Sequence, residues 1–353
     1  MFDLNSLLRK NIQLLEPYAS ARTDYSGKEG IFLDANENAY GSPLDGNLNR
    51  YPDPFQTSLK TKLSSLNTVP ESQIFLSNGS DEAIDLILRA FCNPGIDNIL
   101  ICPPTYGMYE VSAGINDVVV KKVSLTPEHF QLNVSGMKEA IDAKTKLIFL
   151  CCPNNPTGNG VKWTDIKTLL DTFSGLVVVD EAYISFASYP SLVSELKNYP
   201  NLIVMQTLSK AWGLAGIRIG TVFASEEIVG ILNKIKPPYN ISSVNQEMAL
   251  LALDKQALVH VWVKKIVEQR RQLAKALSSL SFVETVYPSE ANFLLVKMLN
   301  ARNVYEELVK EEIIVRDRSR LALCENCLRI TVGTETENDQ LLLALSRLEG
   351  RIA

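Results

Sequence analysis

The sequence contains two histidines, His129 and His260, too isolated to supply an H-E-x-x-H motif or a histidine-rich metal site. Six cysteines are too few for a disulfide scaffold in a chain of 353 residues. Cys324 and Cys327 have the spacing of half a zinc site or a redox pair. A second pair is lacking, and Cys151 and Cys152 are adjacent within an apolar run, so ordinary buried or strand-edge thiols are expected and no metal. No apolar run approaches the ~18 residues of a membrane span. The opening MFDLNSLLRKNIQLLEP lacks the basic-then-apolar order of a signal peptide, which leaves a reducing cytoplasm as the expected setting. Neither G-x-G-x-x-G after a strand nor G-x-x-x-x-G-K-[ST] occurs. Lys and Arg number 35 against 40 Asp and Glu, a net charge of −5 with no sustained basic block, which argues against nucleic acid or an anionic membrane as partner.

What is present reads as a large soluble α/β protein. The length suits about two domains, and 46% hydrophobic residues argues against long-range disorder. Short apolar runs at 74–77, 98–102, 117–123, 146–151, 176–179, 201–206 and 217–223 alternate with helix-like stretches. Such near-continuous apolar runs fit strands covered on both faces, hence a mostly parallel sheet flanked by helices. After Pro237 and Pro238 a long helical stretch is expected over 243–280. Strands at 292–296, 313–315 and 328–332, with helices between and after them, then form a smaller α+β unit.

Ligands of parallel sheets bind beyond the carboxyl ends of the strands, and four polar clusters fall there: Ser77-Asn-Gly-Ser-Asp-Glu82, Asn154-Asn-Pro-Thr-Gly158, Asp180-Glu-Ala-Tyr183, and Ser209-Lys-Ala-Trp-Gly213 with Arg218 beyond it. The first opens a helix whose free N–H groups suit a phosphate. Singly, each reads equally as a capped helix, a Pro-Gly turn, a solvated strand end or a surface lysine.

N-P-T-G, D-E-A-Y and S-K-A-W-G in this order, with an arginine eight residues after the lysine, resemble the aspartate aminotransferase family, fold type I of the pyridoxal-phosphate enzymes. Within it, Leu33-Asp-Ala-Asn-Glu-Asn38, Arg50-Tyr-Pro52, Cys102-Pro-Pro-Thr-Tyr-Gly-Met108, Val315-Arg-Asp317 and Cys327-Leu-Arg-Ile-Thr-Val-Gly333 are similar to the branch acting on histidinol phosphate. The resemblance implies a large cofactor domain plus a smaller domain built from both chain ends. The expected divisions are 1–40 (small domain or dimer contact), 41–245 (cofactor domain), 246–280 (connecting helix) and 281–353 (small domain).

It also implies roles. Lys210 is expected to bond the cofactor aldehyde and shuttle a proton, since only a primary amine does both. Asp180 is expected beside the pyridine nitrogen, keeping it protonated. Asn155 and Tyr183 are expected at the phenolic oxygen, and Tyr106 against the ring face. Gly79, Ser80, Asp81, Ser209 and Arg218 are expected around the phosphate, joined by Tyr51 from a partner subunit, which implies a homodimer with shared active sites. Arg329, Arg316, Tyr18, Asn36 and Asn155 are expected at the substrate, whose phosphate would stand where other substrates carry a carboxylate. Arg318 and Arg320 are expected to be solvated. The implied reaction exchanges the amino group of histidinol phosphate with 2-oxoglutarate, giving imidazole-acetol phosphate and glutamate. An aromatic amino-acid aminotransferase or a threonine-phosphate decarboxylase is the alternative. A regulator sharing this fold is disfavoured, since no DNA-binding helical extension precedes residue 30.

Overall fold

The computed structural model describes residues 2–18, 30–44 and 46–349. A seven-stranded sheet is formed by β1 (Ile74–Asn78), β2 (Asn98–Ile101), β3 (Val119–Lys122), β4 (Thr145–Cys151), β5 (Leu176–Asp180), β6 (Leu202–Thr207) and β7 (Ile219–Phe223). Their spatial order is β1-β7-β6-β5-β4-β2-β3, and only β7 runs against its neighbours. The expected mostly parallel sheet is therefore observed.

Alternation along the strands explains their unbroken hydrophobicity. Ile148 and Leu150 of β4, Val177 and Val179 of β5, and Leu202 and Val204 of β6 enter one core. Leu147 and Phe149, Leu176 and Val178, and Ile203 and Met205 enter the core on the other face. With both faces covered, successive positions in the strand interiors are apolar. Burying one such side chain contributes about 1.5–3 kcal/mol.

The helices are α1 (Leu4–Leu7), α2 (Lys10–Gln13), α3 (Thr57–Asn67), α4 (Gly79–Phe91), α5 (Met108–Ile115), α6 (Val134–Ala140), α7 (Trp163–Thr172), α8 (Glu226–Ile235), α9 (Ser243–Leu253), α10 (Gln256–Leu277), α11 (Ala301–Lys310) and α12 (Glu335–Ser346). Residues of α3, α6, α7 and α9 cover the first face. Those of α1, α4, α5 and α8 cover the second. The start of the chain was expected with the small unit or at a dimer contact. Its first helical turn rests on the large sheet layer, where Leu4 and Leu7 bury against the apolar face that α4 shares. The Arg9 amide also donates to the Ala90 carbonyl at 3.1 Å.

The smaller unit has an antiparallel sheet, β10-β11-β9-β8, of β8 (Val283–Val286), β9 (Phe293–Met298), β10 (Arg316–Asp317) and β11 (Cys327–Thr331). Residues of α10, α11 and α12 pack on one face of it. Three details differ from the sequence expectation. The stretch 243–280 is two helices, parted at Asp254 and Lys255, where the Lys255 amide donates to the Ala252 carbonyl at 2.9 Å instead of continuing the ladder and Asp254 pairs with Lys62 at 2.5 Å. The strand expected at 313–315 falls on Arg316–Asp317. The edge strand β8 is additional; its Glu284 and Thr285 are exposed, leaving too little apolar pattern to read.

Among the described residues no helix is long and apolar enough to cross a membrane. Among the described residues no cluster of His, Cys, Asp and Glu suits a metal ion, and all six cysteines are free and buried. Burial pushes the Cys324 and Cys327 thiols up to about 12, away from the reactive thiolate form.

Candidate active site

The carboxyl ends of β1, β2, β4, β5 and β6 share one edge of the sheet. Because β7 is antiparallel, the residue preceding it, Arg218, arrives at the same edge. A cavity of about 520 Å³ opens there, lined by Ser80, Asp81, Tyr106, Asn155, Asp180, Tyr183, Ser209, Lys210, Arg218, Arg316, Arg318 and Arg329 among others. A larger recess of about 810 Å³ beside α10 holds none of the four polar clusters.

One end of the cavity is built to receive an anion. Helix α4 begins at Gly79, and its preceding residue, Asn78, makes no side-chain cap. Gly79 has φ of +74°, and a Cβ there would lie 2.6 Å from Arg218 Nη2. A Cβ on Gly220 would meet Gly79 C and Ser80 N, each at 2.6 Å, so β7 approaches the helix start only because it has none. Arg218 itself takes the left-handed conformation, φ +52°. Its Nη2 lies 3.6 Å from Asp81 Oδ2, while Tyr106 Oη donates to Asp81 Oδ1 at 3.0 Å.

Asp180, at the tip of β5, forms the floor. Tyr109 Oη donates to its Oδ2 at 2.7 Å, and the Ala182 amide to its Oδ1 at 3.0 Å. Burial raises its pKa, and these two bonds pull against that rise. Lys210 Nζ lies 5.6 Å from the Tyr183 ring centroid. Loss of hydration around the amine, then the Arg329 charge, lowers its pKa. Asn155 bridges the two units: its Oδ1 accepts from Arg329 Nη1 at 2.6 Å, and its Nδ2 donates to Tyr183 Oη at 3.4 Å.

Arg329 on β11 faces Arg316 on β10 directly across the strand pair. Like charges so placed are destabilising unless an anion joins them. Among the described residues neither guanidinium has a carboxylate within ion-pair distance.

Eleven of the expected residues therefore line one space: Ser80, Asp81, Tyr106, Asn155, Asp180, Tyr183, Ser209, Lys210, Arg218, Arg316 and Arg329. Gly79 abuts it through Arg218. Tyr18, Asn36 and Tyr51 lie outside it. Tyr18 is exposed, and Tyr51 stacks on Tyr239 with centroids 4.5 Å apart, in a separate recess that Asn36 also lines.

Two lining or supporting residues escaped the sequence reading. Tyr109 follows Tyr106 by three positions at a helix start, the spacing that places both on one face. Arg318, expected in solvent, is half-buried in the cavity wall. It alternates with Arg316, and alternate residues of an extended strand share a face.

The donor set fits pyridoxal phosphate. An uncapped helix start with an arginine and serines suits its phosphate, and a buried carboxylate suits a protonated ring nitrogen. An amine of lowered basicity, open to the cavity, suits its aldehyde.

A sequence profile of class I and II aminotransferases matches residues 28–345. The histidinol-phosphate aminotransferase of Cytophaga hutchinsonii is 55% identical over 341 residues, 97% of this chain and 98% of that protein. The crystal structure of histidinol-phosphate aminotransferase from Clostridium acetobutylicum is similar with TM-score 0.80 and 26% identity, covering 86% of this chain and 92% of that one. The enzyme of that name from Sinorhizobium meliloti, solved in complex with pyridoxal-5'-phosphate, shares the fold with TM-score 0.79 at 22% identity, covering 90% of each chain.

Proposed function

The chain belongs to the class I and II aminotransferases, and from that premise we propose that it transfers the amino group of histidinol phosphate to 2-oxoglutarate in histidine biosynthesis, glutamate being the donor in the biosynthetic direction. The observation that carries this reading is the directly opposed pair Arg316 and Arg329, unneutralised, in the same cavity as Lys210 and Asp180.

Pyridoxal phosphate, when bound, supplies an aldehyde carbon for amino-group exchange and a ring that accepts electrons. The rest is the work of this chain. Lys210 would hold the group through its amine, and its Nζ is the atom that would take and return a proton. Its lowered basicity, from loss of hydration and then the Arg329 charge, makes the unprotonated amine easier to reach. Asp180, fixed by Tyr109 and the Ala182 amide, keeps a proton on the ring nitrogen. Asn155 and Tyr183 would hydrogen-bond the phenolic oxygen, and Tyr106 would lie against the ring. Gly79, Ser80, Asp81, Ser209 and Arg218 hold the phosphate through helix-start amides, hydroxyls and a guanidinium. Arg316 and Arg329 orient the substrate by its own phosphate.

We also assign the chain to a homodimer, with residues 41–245 forming the cofactor unit. Ile31, Leu33, Tyr40 and Leu44 are exposed on the segment before Tyr51, and Val244, Met248 and Leu251 on α9 are exposed as well. An apolar surface of this kind suits a protein partner. Tyr51, outside its own cavity, is then placed to complete the partner's, and Tyr18 and Asn36 belong with that shared edge. The six free thiols accord with a reducing cytoplasm.

Steady-state assay against histidinol phosphate, phenylalanine, tyrosine and threonine phosphate, each with 2-oxoglutarate, tests the reading. Highest kcat/KM for histidinol phosphate is expected. Carbon dioxide release from threonine phosphate without a keto acid would overturn it.

A further inference from the structure

The small sheet places a third guanidinium in the cavity. Arg316 pairs with Arg329 across β10 and β11, and the pairing runs one residue further, because the Arg318 amide donates to the Cys327 carbonyl at 2.9 Å. With a two-residue period, Arg318 follows Arg316 onto the cavity side. Asp317 between them turns away, its carboxylate accepting from the Ser319 amide at 2.9 Å and lying 3.5 Å from Arg302.

Among the described residues, the Arg318 side chain makes no hydrogen bond or ion pair, and its Nε is shut off from water with no acceptor. Arg329 is nearly as poorly served: Nη1 reaches Asn155, and Nε is closed off and unpaired. Burial and then the Arg316 charge lower the Arg318 pKa, and burial and then Arg318 lower that of Arg329. Buried donors without acceptors are costly, and more so beside like charges. A wall of this composition is relieved only by an anion with several acceptor oxygens. A carboxylate has two oxygens and one charge, and a single guanidinium satisfies it. A phosphate monoester has three terminal oxygens and close to two charges at neutral pH.

We propose that Arg318 is a specificity-determining residue that, with Arg316 and Arg329, binds the dianionic phosphate of the amine substrate, and that its contribution is directed to the phosphate rather than to carboxylate substrates. This rests on the phosphate-substrate reading above. Glutamate and 2-oxoglutarate, carrying only carboxylates, draw little on Arg318. The advantage of the phosphorylated substrate falls as pH drops below about 6, where the phosphate takes its second proton.

The experiment uses cofactor-loaded wild type, Arg318→Gln and Arg318→Lys, and follows the half-reactions with histidinol phosphate, histidinol and glutamate by cofactor absorbance. In Arg318→Gln, kcat/KM for histidinol phosphate is expected to fall about 30-fold, with histidinol and glutamate changing less than about 3-fold. Arg318→Lys recovers part of the loss, because charge returns without the planar fork. Calorimetry with inorganic phosphate is expected to show about 10-fold weaker binding to the Gln variant. Equal losses on histidinol and histidinol phosphate, or no loss on either, would overturn the role of Arg318. Wild type treating histidinol and histidinol phosphate alike would instead overturn the parent reading, and the inorganic-phosphate arm would still judge Arg318 by itself.

Discussion

Tyr109 and Asp180 form a closed contact beneath the cavity: the phenol donates to the carboxylate at 2.7 Å, and both side chains are buried. Burial drives the Asp180 pKa up, and this bond is the foremost influence opposing it. The proton of the phenol therefore helps keep a buried carboxylate ionised, which is the form that can hold a protonated nitrogen beside it.

Removing that donor has a definite sign. In Tyr109→Phe the Asp180 pKa rises further, so the acid limb of the kcat profile moves to higher pH. A hydrogen bond to a charged group contributes about 1.5–3 kcal/mol, so kcat is expected to drop about 10-fold or more at neutral pH. A pH–rate profile of the cofactor-loaded variant checks this; an unmoved acid limb would show that Tyr109 only fills space.

Gly79→Ala tests the anion cradle. Its φ of +74° strains any side chain, and the new methyl would lie 2.6 Å from Arg218 Nη2. The arginine tip is flexible and moves, which relieves the clash by leaving the phosphate position. Cofactor affinity is expected to fall at least 10-fold, with a further loss of about 1–2 kcal/mol in stability from the backbone conformation. Cofactor titration and thermal unfolding of the same preparation measure the two effects separately.

Glu181, next to Asp180, is expected to make stability depend on pH. It accepts from Ser191 Oγ at 2.5 Å, Leu192 N at 2.7 Å and Gln206 Nε2 at 2.9 Å, yet burial still raises it from 4.5 to about 7. Because the folded pKa is raised, the stabilising contribution is fully present below about pH 4.5 and is lost as pH rises through 7. The swing is on the order of 3 kcal/mol. Wild-type Tm is expected to decline across that window and Glu181→Gln to flatten the decline; parallel curves for the two proteins would contradict the assignment.

Arg316→Ala separates a phosphate site from a general anion site. The residue is exposed at the cavity rim and opposes Arg329. Loss of kcat/KM for histidinol phosphate is expected to exceed the loss for phenylalanine or glutamate by about 10-fold or more. Equal losses on all three would point to an aromatic amino-acid preference instead.

Much of this was legible in the amino-acid sequence because the chemistry sits on short contiguous clusters at strand ends. Lys210, Asp180 and Asn155 each follow an apolar run that could only be a covered strand, and Arg218 stood out by its distance from Lys210. The less legible parts depend on long-range pairing. The reversal of β7, which brings Arg218 to the working edge, leaves no trace in an apolar run, since a doubly buried strand reads the same in either direction. The helix break at Asp254 has neither Gly nor Pro to announce it. Arg318 looked solvated because its burial comes from strand pairing with residues near Cys327, and Tyr109 because its partner lies 71 positions away.

The most direct test is the half-reaction of cofactor-loaded protein with histidinol phosphate and no keto acid. Wild type is expected to lose its visible cofactor absorbance in proportion to the substrate consumed and to regain it on addition of 2-oxoglutarate, with glutamate formed in equal amount. Lys210→Ala, lacking the only side-chain amine facing the cavity among the described residues, is expected to do neither. Full cycling of absorbance and product in Lys210→Ala, or no response of wild type to histidinol phosphate, would contradict the account.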